Sequence, residues 1–268
     1  QRPGLTALLK TFLLLSCTFL GLICGTLYLY SSYSPQIAHV LHYSVSDSLK
    51  IGLSGLIGVG LSGPLVGKAV DTIGFSFPII VGGIWTILLY FCLKLQLDFQ
   101  HSNVSLSCYF LFMIGFGSTL MNSACLKCCA INFPTIRGVA TALPLALYGL
   151  SALFFSVVAS VFFPGNTSGF LGFMTIALLV VFLICSPKII LYEYELKVMR
   201  SKDLQEIELD TFSGKTSTQP DTETIGSKKT LLQQIGGLKL LRTQKFWLMF
   251  LVTGILAATG QMYIYSVG

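Results

Sequence analysis

Two amides and one carboxylate offer most of the chemistry in this sequence. Asn122 and Gln261 fall inside long apolar runs, and Asp71 lies in the short segment "GKAVDTIGF" between two such runs. An amide in hydrocarbon is costly unless it faces a partner or a wet cavity, so both are candidates to contact a small solute. Tyr28, Tyr148 and Tyr263 supply phenols in the same kind of setting.

Asp71 stands between Gly67 and Gly74 in a G-x-x-x-D-x-x-G pattern. Glycines permit a tight turn and close approach of helices. A carboxylate at such an edge can bond a helix N-terminus or a basic side chain, which would make Asp71 a latch whose partner is Lys127 or Arg137 or, equally, a helix of the second half. The three thiols of "CLKCC", Cys125 to Cys129, share a helical face but have no fourth ligand nearby, so they read as filler and no metal is expected. No nucleotide loop, catalytic triad or HExxH pattern is present. The expectation is a protein that is not an enzyme and needs no cofactor.

The elements that must position these residues follow from composition. With 53% hydrophobic and 10% charged residues the chain is far more apolar than a soluble domain. Runs of about 20 apolar residues, enough to cross a bilayer, recur at Leu8–Tyr30, Leu49–Ala69, Phe75–Leu95, Leu106–Cys129, Gly138–Phe163, Phe170–Ser186 and Phe246–Tyr265. The fold class expected is an all-α polytopic membrane protein. Because the chain starts at Gln1 and stops at Gly268 with the apolar pattern still running, an N-terminal portion of a longer protein is expected.

Basic residues orient the spans. An N-terminus in the cytoplasm puts Arg2, Lys10, Lys68, Lys127, Arg137 and the basic residues from Lys188 to Lys245 inside, leaving Lys50 and Lys94 opposite. The net charge of +6 is therefore a topology signal and not one for nucleic acid. Two N-x-S/T sequons, at Asn103 and Asn166, fall in loops on the opposite side and are glycosylation candidates. The eight cysteines lie in or at the ends of spans, which implies no disulfide framework.

Three domains are expected: a six-span bundle over 1–187, a polar connecting loop over 188–243 that is cytoplasmic and partly disordered, and a seventh span over 244–268. The start of the connector, "IILYEYELKVMRSKDLQEIELD", could continue span 6 as an amphipathic helix. In span 2, Gly55, Gly58 and Ser62 mark one face and Gly60, Gly63 and Gly67 another, each able to let a neighbouring helix approach closely.

Six spans, a long basic loop and a second set beginning form a layout that resembles the major facilitator superfamily, whose G-x-x-x-D-x-x-G turn is matched by Gly67, Asp71 and Gly74. "NFPTIRGVATALPLALYGLSALFF" resembles the plant and fungal nodulin-like branch of that superfamily, with Asn132, Phe133, Pro134, Arg137, Gly138, Gly149, Leu150 and Ser151 in place. "GTLYLYSSYSPQI" and "TGQMYIYSVG" are similar to that family's exit from span 1 and entry to its second half.

Departures are Thr72, Phe75 and Ser76 where the superfamily usually has basic residues, and Leu145 where members often have lysine.

The resemblance implies the six-helix N-terminal bundle of a major facilitator fold plus the first helix of a second bundle. It further implies a secondary carrier of a small solute, a carboxylate or other small metabolite, working by alternating access in the plasma or vacuolar membrane. Asp71 would latch the gate, Arg137 would anchor the turn into span 5, and Asn122 with Gln261 would touch solute. No ionisable residue lies at the centre of a span, so a coupling proton would use rim groups such as His39, His42 and Asp47, or groups outside this sequence. The rival expectation is a non-transporting polytopic receptor or scaffold.

Overall fold

The computed structural model describes the backbone of residues 3–212 and 244–267, and the side chains of 10–198, 201, 244 and 246–260. Every regular element among them is helical: α1 (Pro3–Cys24), a 3₁₀ segment (Gly25–Leu29), α2 (Tyr30–Leu41), α3 (Val45–Ile73), α4 (Ser76–Asp98), α5 (Val104–Asn132), α6 (Arg137–Phe162), α7 (Thr167–Phe212) and α8 (Gln244–Val267). Six segments are long and apolar enough to cross a membrane, beginning with the composite Lys10–Leu41. The chain is an all-α polytopic membrane protein.

Lipid tails are as apolar as leucine, so helices here must be held by close packing and polar contacts. Helix α5 is the hub, packing against α1, α3, α4 and α6. Gly115 of α5 rides on the Gly55 carbonyl of α3, and Gly58 of α3 rides on the Phe112 carbonyl of α5. Ser54 then donates across the same seam to the Cys108 carbonyl at 2.9 Å. Between α1 and α5 the filling is compact and polarisable: Cys17, Cys125, Cys128 and Cys129 are all buried as free thiols.

Capping residues set the helix starts. Ser44 accepts from the Asp47 N–H at 3.1 Å to start α3, and Asn103 accepts from the Leu106 N–H at 3.2 Å to start α5. Asn166 does the same for α7, accepting from the Gly169 N–H at 2.8 Å.

Two features differ from the reading of the sequence, and a third, the continuation of span 6 into the connector, agrees with it. The first span does not stop near Tyr30; it tightens to 3₁₀ geometry over Gly25–Leu29 and continues as α2 to Leu41. Tyr30, Tyr33, Ile37 and Leu41 are buried at helical spacing, which is why a stretch rich in serine still helps form the core. The second glycine face of α3 has no neighbour in reach among the described residues, since Gly60, Gly63 and Gly67 each look onto open space there. Helix α7 runs past Lys188 without a break to Phe212.

The compact unit containing α1–α6 extends to Lys197, because Ile189 and Glu193 of α7 are buried in it. Residues 198–268 form a second unit, and the part of the connector over 213–243 lies outside the described residues.

Candidate functional site

Between α3 and α4 the chain turns on two residues, Gly74 and Phe75. Gly74 has φ +104° and ψ −170°, a backbone region open essentially to glycine alone. A β-carbon at Gly74 would also run into Oε1 of Glu193. Glu193 comes from α7, is 5% exposed, and accepts from the Ser76 backbone N–H at 2.6 Å. That N–H is one of the unpaired donors at the start of α4, where a carboxylate is favoured by both hydrogen bonding and the helix dipole. Lys197, one turn further along α7, donates to the other carboxylate oxygen at 2.6 Å.

Asp71 lies one turn before this bend. Lys127 of α5 donates to its Oδ1 at 2.8 Å and to the Val70 carbonyl at 2.7 Å. The Asp71 side chain is 77% exposed, so this bridge between α3 and α5 stands in contact with solvent. Of the two basic residues considered as partners, Lys127 makes the contact. Arg137, the first residue of α6, is exposed and makes no ion pair among the described residues. Gly67 and Gly138 face open space.

Deeper in the bundle, Tyr28 and Tyr148 meet. Their hydroxyls are 3.2 Å apart and their rings pack edge to face at 5.5 Å, joining the 3₁₀ segment to α6. The backbone makes this approach because Gly25 lies directly on the Tyr148 carbonyl.

On α5, Ser118 donates to the Cys24 carbonyl at the end of α1, and Asn122 sits one turn beyond. The Asn122 Oδ1 is buried and has no hydrogen-bond partner among the described residues, nor does Ser151 Oγ. Such an acceptor has binding capacity that the protein itself leaves unused. The side chains of Gln261 and Tyr263, on α8, lie outside the described residues.

Two groups escaped the reading of the sequence. Glu193 belongs to the polar stretch after Lys188, where a carboxylate looks solvated; the sign of its role is the burial of Ile189 and Glu193 on one face of a helix that continues α7. At the opposite end of the bundle, Gln96 is buried and donates through Nε2 to the Tyr43 hydroxyl at 3.3 Å and to the His101 and Asn103 carbonyls, each at 3.2 Å. Ser107 donates to Gln96 Oε1 at 3.1 Å and shares a hydrogen bond with the Tyr43 hydroxyl at 3.1 Å. Both sequon asparagines are at this end, each with its side-chain oxygen engaged in capping a helix.

Comparison with known proteins places this architecture. The chain is 36% identical over 169 residues to the uncharacterized membrane protein YMR155W of Saccharomyces cerevisiae, covering 63% of this chain and 30% of that one. It is 26% identical over 173 residues to the probable transporter MCH1 of Gibberella zeae, covering 58% of this chain and 30% of the relative. The chain thus spans about 30% of the length of the curated relatives it matches. No solved structure matches it. The family model described as Nodulin-like matches residues 10–212, well over half of the sequence, and the chain therefore belongs to the Nodulin-like family.

Proposed function

We propose that this chain contributes to a secondary carrier that moves a small solute across a membrane by alternating access. The observation that carries the proposal is the solvent-facing Asp71–Lys127 bridge between α3 and α5. An ion pair exposed to that degree contributes only ~0–1 kcal/mol, so it can hold a gate closed and still release it within a transport cycle. A relative described as a probable transporter supports the same reading.

In this account Asp71 and Lys127 form the latch and Glu193 positions the turn that carries it. Asn122 offers its unpaired acceptor to solute, with Tyr28 and Tyr148 beside the path; Gln261 and Tyr263, whose side chains lie outside the described residues, are further candidate contacts. The Asp71 end faces the cytoplasm, as the distribution of lysine and arginine favours, in a plasma or vacuolar membrane. Proton coupling would rely on exposed His39 and His42, since Asp47 is already engaged by Ser44 and Lys50.

The test is uptake into vesicles carrying the full-length protein, across a panel of labelled small metabolites including carboxylates. Saturable uptake accelerated by the same solute on the other side is the expected result. Asp71→Asn should then lower the maximal rate, by up to about fivefold if the whole ~1 kcal/mol of an exposed pair is lost in the rate-limiting step, with KM little changed. A panel with no solute accelerated in this way would favour a scaffold.

A further inference from the structure

Towards the sequon end, α2, α6 and the start of α7 line a partly open cavity of about 90 Å³. Its polar lining comes as two pairs, Ser32 and Gln36 on α2 and Ser156 and Ser160 on α6. Both pairs are spaced by one helical turn, so each presents two polar groups on one face. Tyr33 and Phe170 add aromatic surface, their ring centroids 6.2 Å apart.

The hydroxyls of Ser32 and Ser156 make no hydrogen bond among the described residues. Thr167 donates to Gln36 Oε1, which leaves the amide N–H groups as what Gln36 has to offer the cavity. Ser160 has given its proton to the Ser156 carbonyl at 2.9 Å and keeps its lone pairs. The cavity therefore presents mixed donors and acceptors close to aromatic carbon.

The lining lacks a formal charge. Near it, the Lys94–Asp98 pair is self-neutralised, and Ser168 also donates to Asp98. An ion entering here would gain no counter-charge from the lining to offset whatever hydration it gives up. A neutral solute bearing several hydroxyls exchanges its bonds to water for bonds to serine and glutamine, and rests its C–H face on the rings.

Size narrows the choice. An apolar cavity of about 150 Å³ holds benzene, so 90 Å³ suits roughly three to five non-hydrogen atoms, with more projecting from the mouth. We infer that the cavity between α2 and α6 is a binding site for a small uncharged polyol of glycerol or erythritol size. The site goes beyond the carrier reading. Ser156 lies two turns beyond Tyr148, about 12 Å along α6, and occupancy can be measured without transport.

The experiment uses the full-length protein in lipid nanodiscs, with Ser32→Cys as reporter and Ser160→Cys as a second reporter from the facing helix. The reaction rate with a small thiosulfonate, taken as the increment over the parent protein, whose own free cysteines also react, is read against added erythritol. Protection should saturate, reaching about fivefold when erythritol is four times its half-protecting concentration. Lactate at equal osmolarity should not protect, and Ser201→Cys, exposed in the second unit, should react at an unchanged rate. Gln36→Leu, checked for an unaltered gel-filtration profile, should abolish protection in both reporters. Absence of protection, equal protection by lactate, or protection that survives Gln36→Leu would each overturn the assignment. Vesicle uptake can fail or succeed independently of this result, so the two proposals are separable.

Discussion

The two ends of the α1–α6 bundle are tied by different kinds of bond. At the sequon end, Gln96, Tyr43 and Ser107 form a buried network that joins α4, α5 and the loop after α2, and Ser102 adds a hydrogen bond to the Leu41 carbonyl at 2.7 Å. At the Asp71 end, α3 and α5 are joined by an exposed ion pair, and α4 and α7 by one carboxylate on one backbone N–H. Buried polar networks are expensive to disturb because each orphaned group bears its full desolvation cost, whereas exposed pairs exchange readily with water. The difference teaches that one end is joined by bonds shielded from water and the other partly by a bond that water can replace.

The sharpest way to break this comparison is Gln96→Leu. It removes the bonds that Gln96 Nε2 donates and the one that Oε1 accepts and leaves the His101 carbonyl without a partner, while Tyr43 and Ser107 keep their bond to each other, and should destabilise the bundle by about 3 kcal/mol in denaturant titrations of the protein in micelles. A loss below about 1 kcal/mol would mean that the network is replaceable by water and that the two ends are alike.

Gly74→Ala comes next, at about 2 kcal/mol for a backbone region that alanine avoids, plus displacement of Glu193. Hydrogen exchange should quicken at Ser76 and along the first turn of α4 and stay unchanged at Asn103. Glu193→Gln keeps the shape and one acceptor but removes the charge that Ser76 and Lys197 share. A loss of about 1 kcal/mol is expected, with the Ser76 amide again the reporter. Asp71→Asn should leave the unfolding midpoint where it was, and a clear drop would show that the exposed bridge is structural.

Much of this bundle could be read from the chain. The six apolar segments, and the Gly55 and Gly58 face that α5 occupies, follow from hydropathy and small-residue spacing, which dominate where helices pack in lipid. What escaped was polar and conditional. Nothing local distinguishes Glu193 from its neighbours Glu195 and Asp203; its difference arises only when α7 brings it against the α3–α4 turn. Gln96 lies just past the apolar run that ends at Leu95, yet folding encloses it between Tyr43 and Ser107.

The α2 extension was hidden by serine and proline, although Tyr30, Tyr33, Ile37 and Leu41 already carried a helical period. Among the candidate contact residues, pairing of Tyr28 with Tyr148 depends on Gly25 meeting a carbonyl of a helix far along the chain, which no local signal announces, and so only the fold could supply it.

The second sequon has a consequence for the order of events in synthesis. In the folded chain the Asn166 side-chain oxygen caps α7 and the Ser168 hydroxyl is committed to Asp98. A sugar would join the Asn166 amide nitrogen, which the cap leaves free, whereas the Ser168 hydroxyl that a transferase also engages is held by Asp98 once α7 has docked on α4. A sugar carried at Asn166 would therefore be attached more readily before that contact closes, so occupancy at this asparagine would report how fast the helix settles relative to the enzyme.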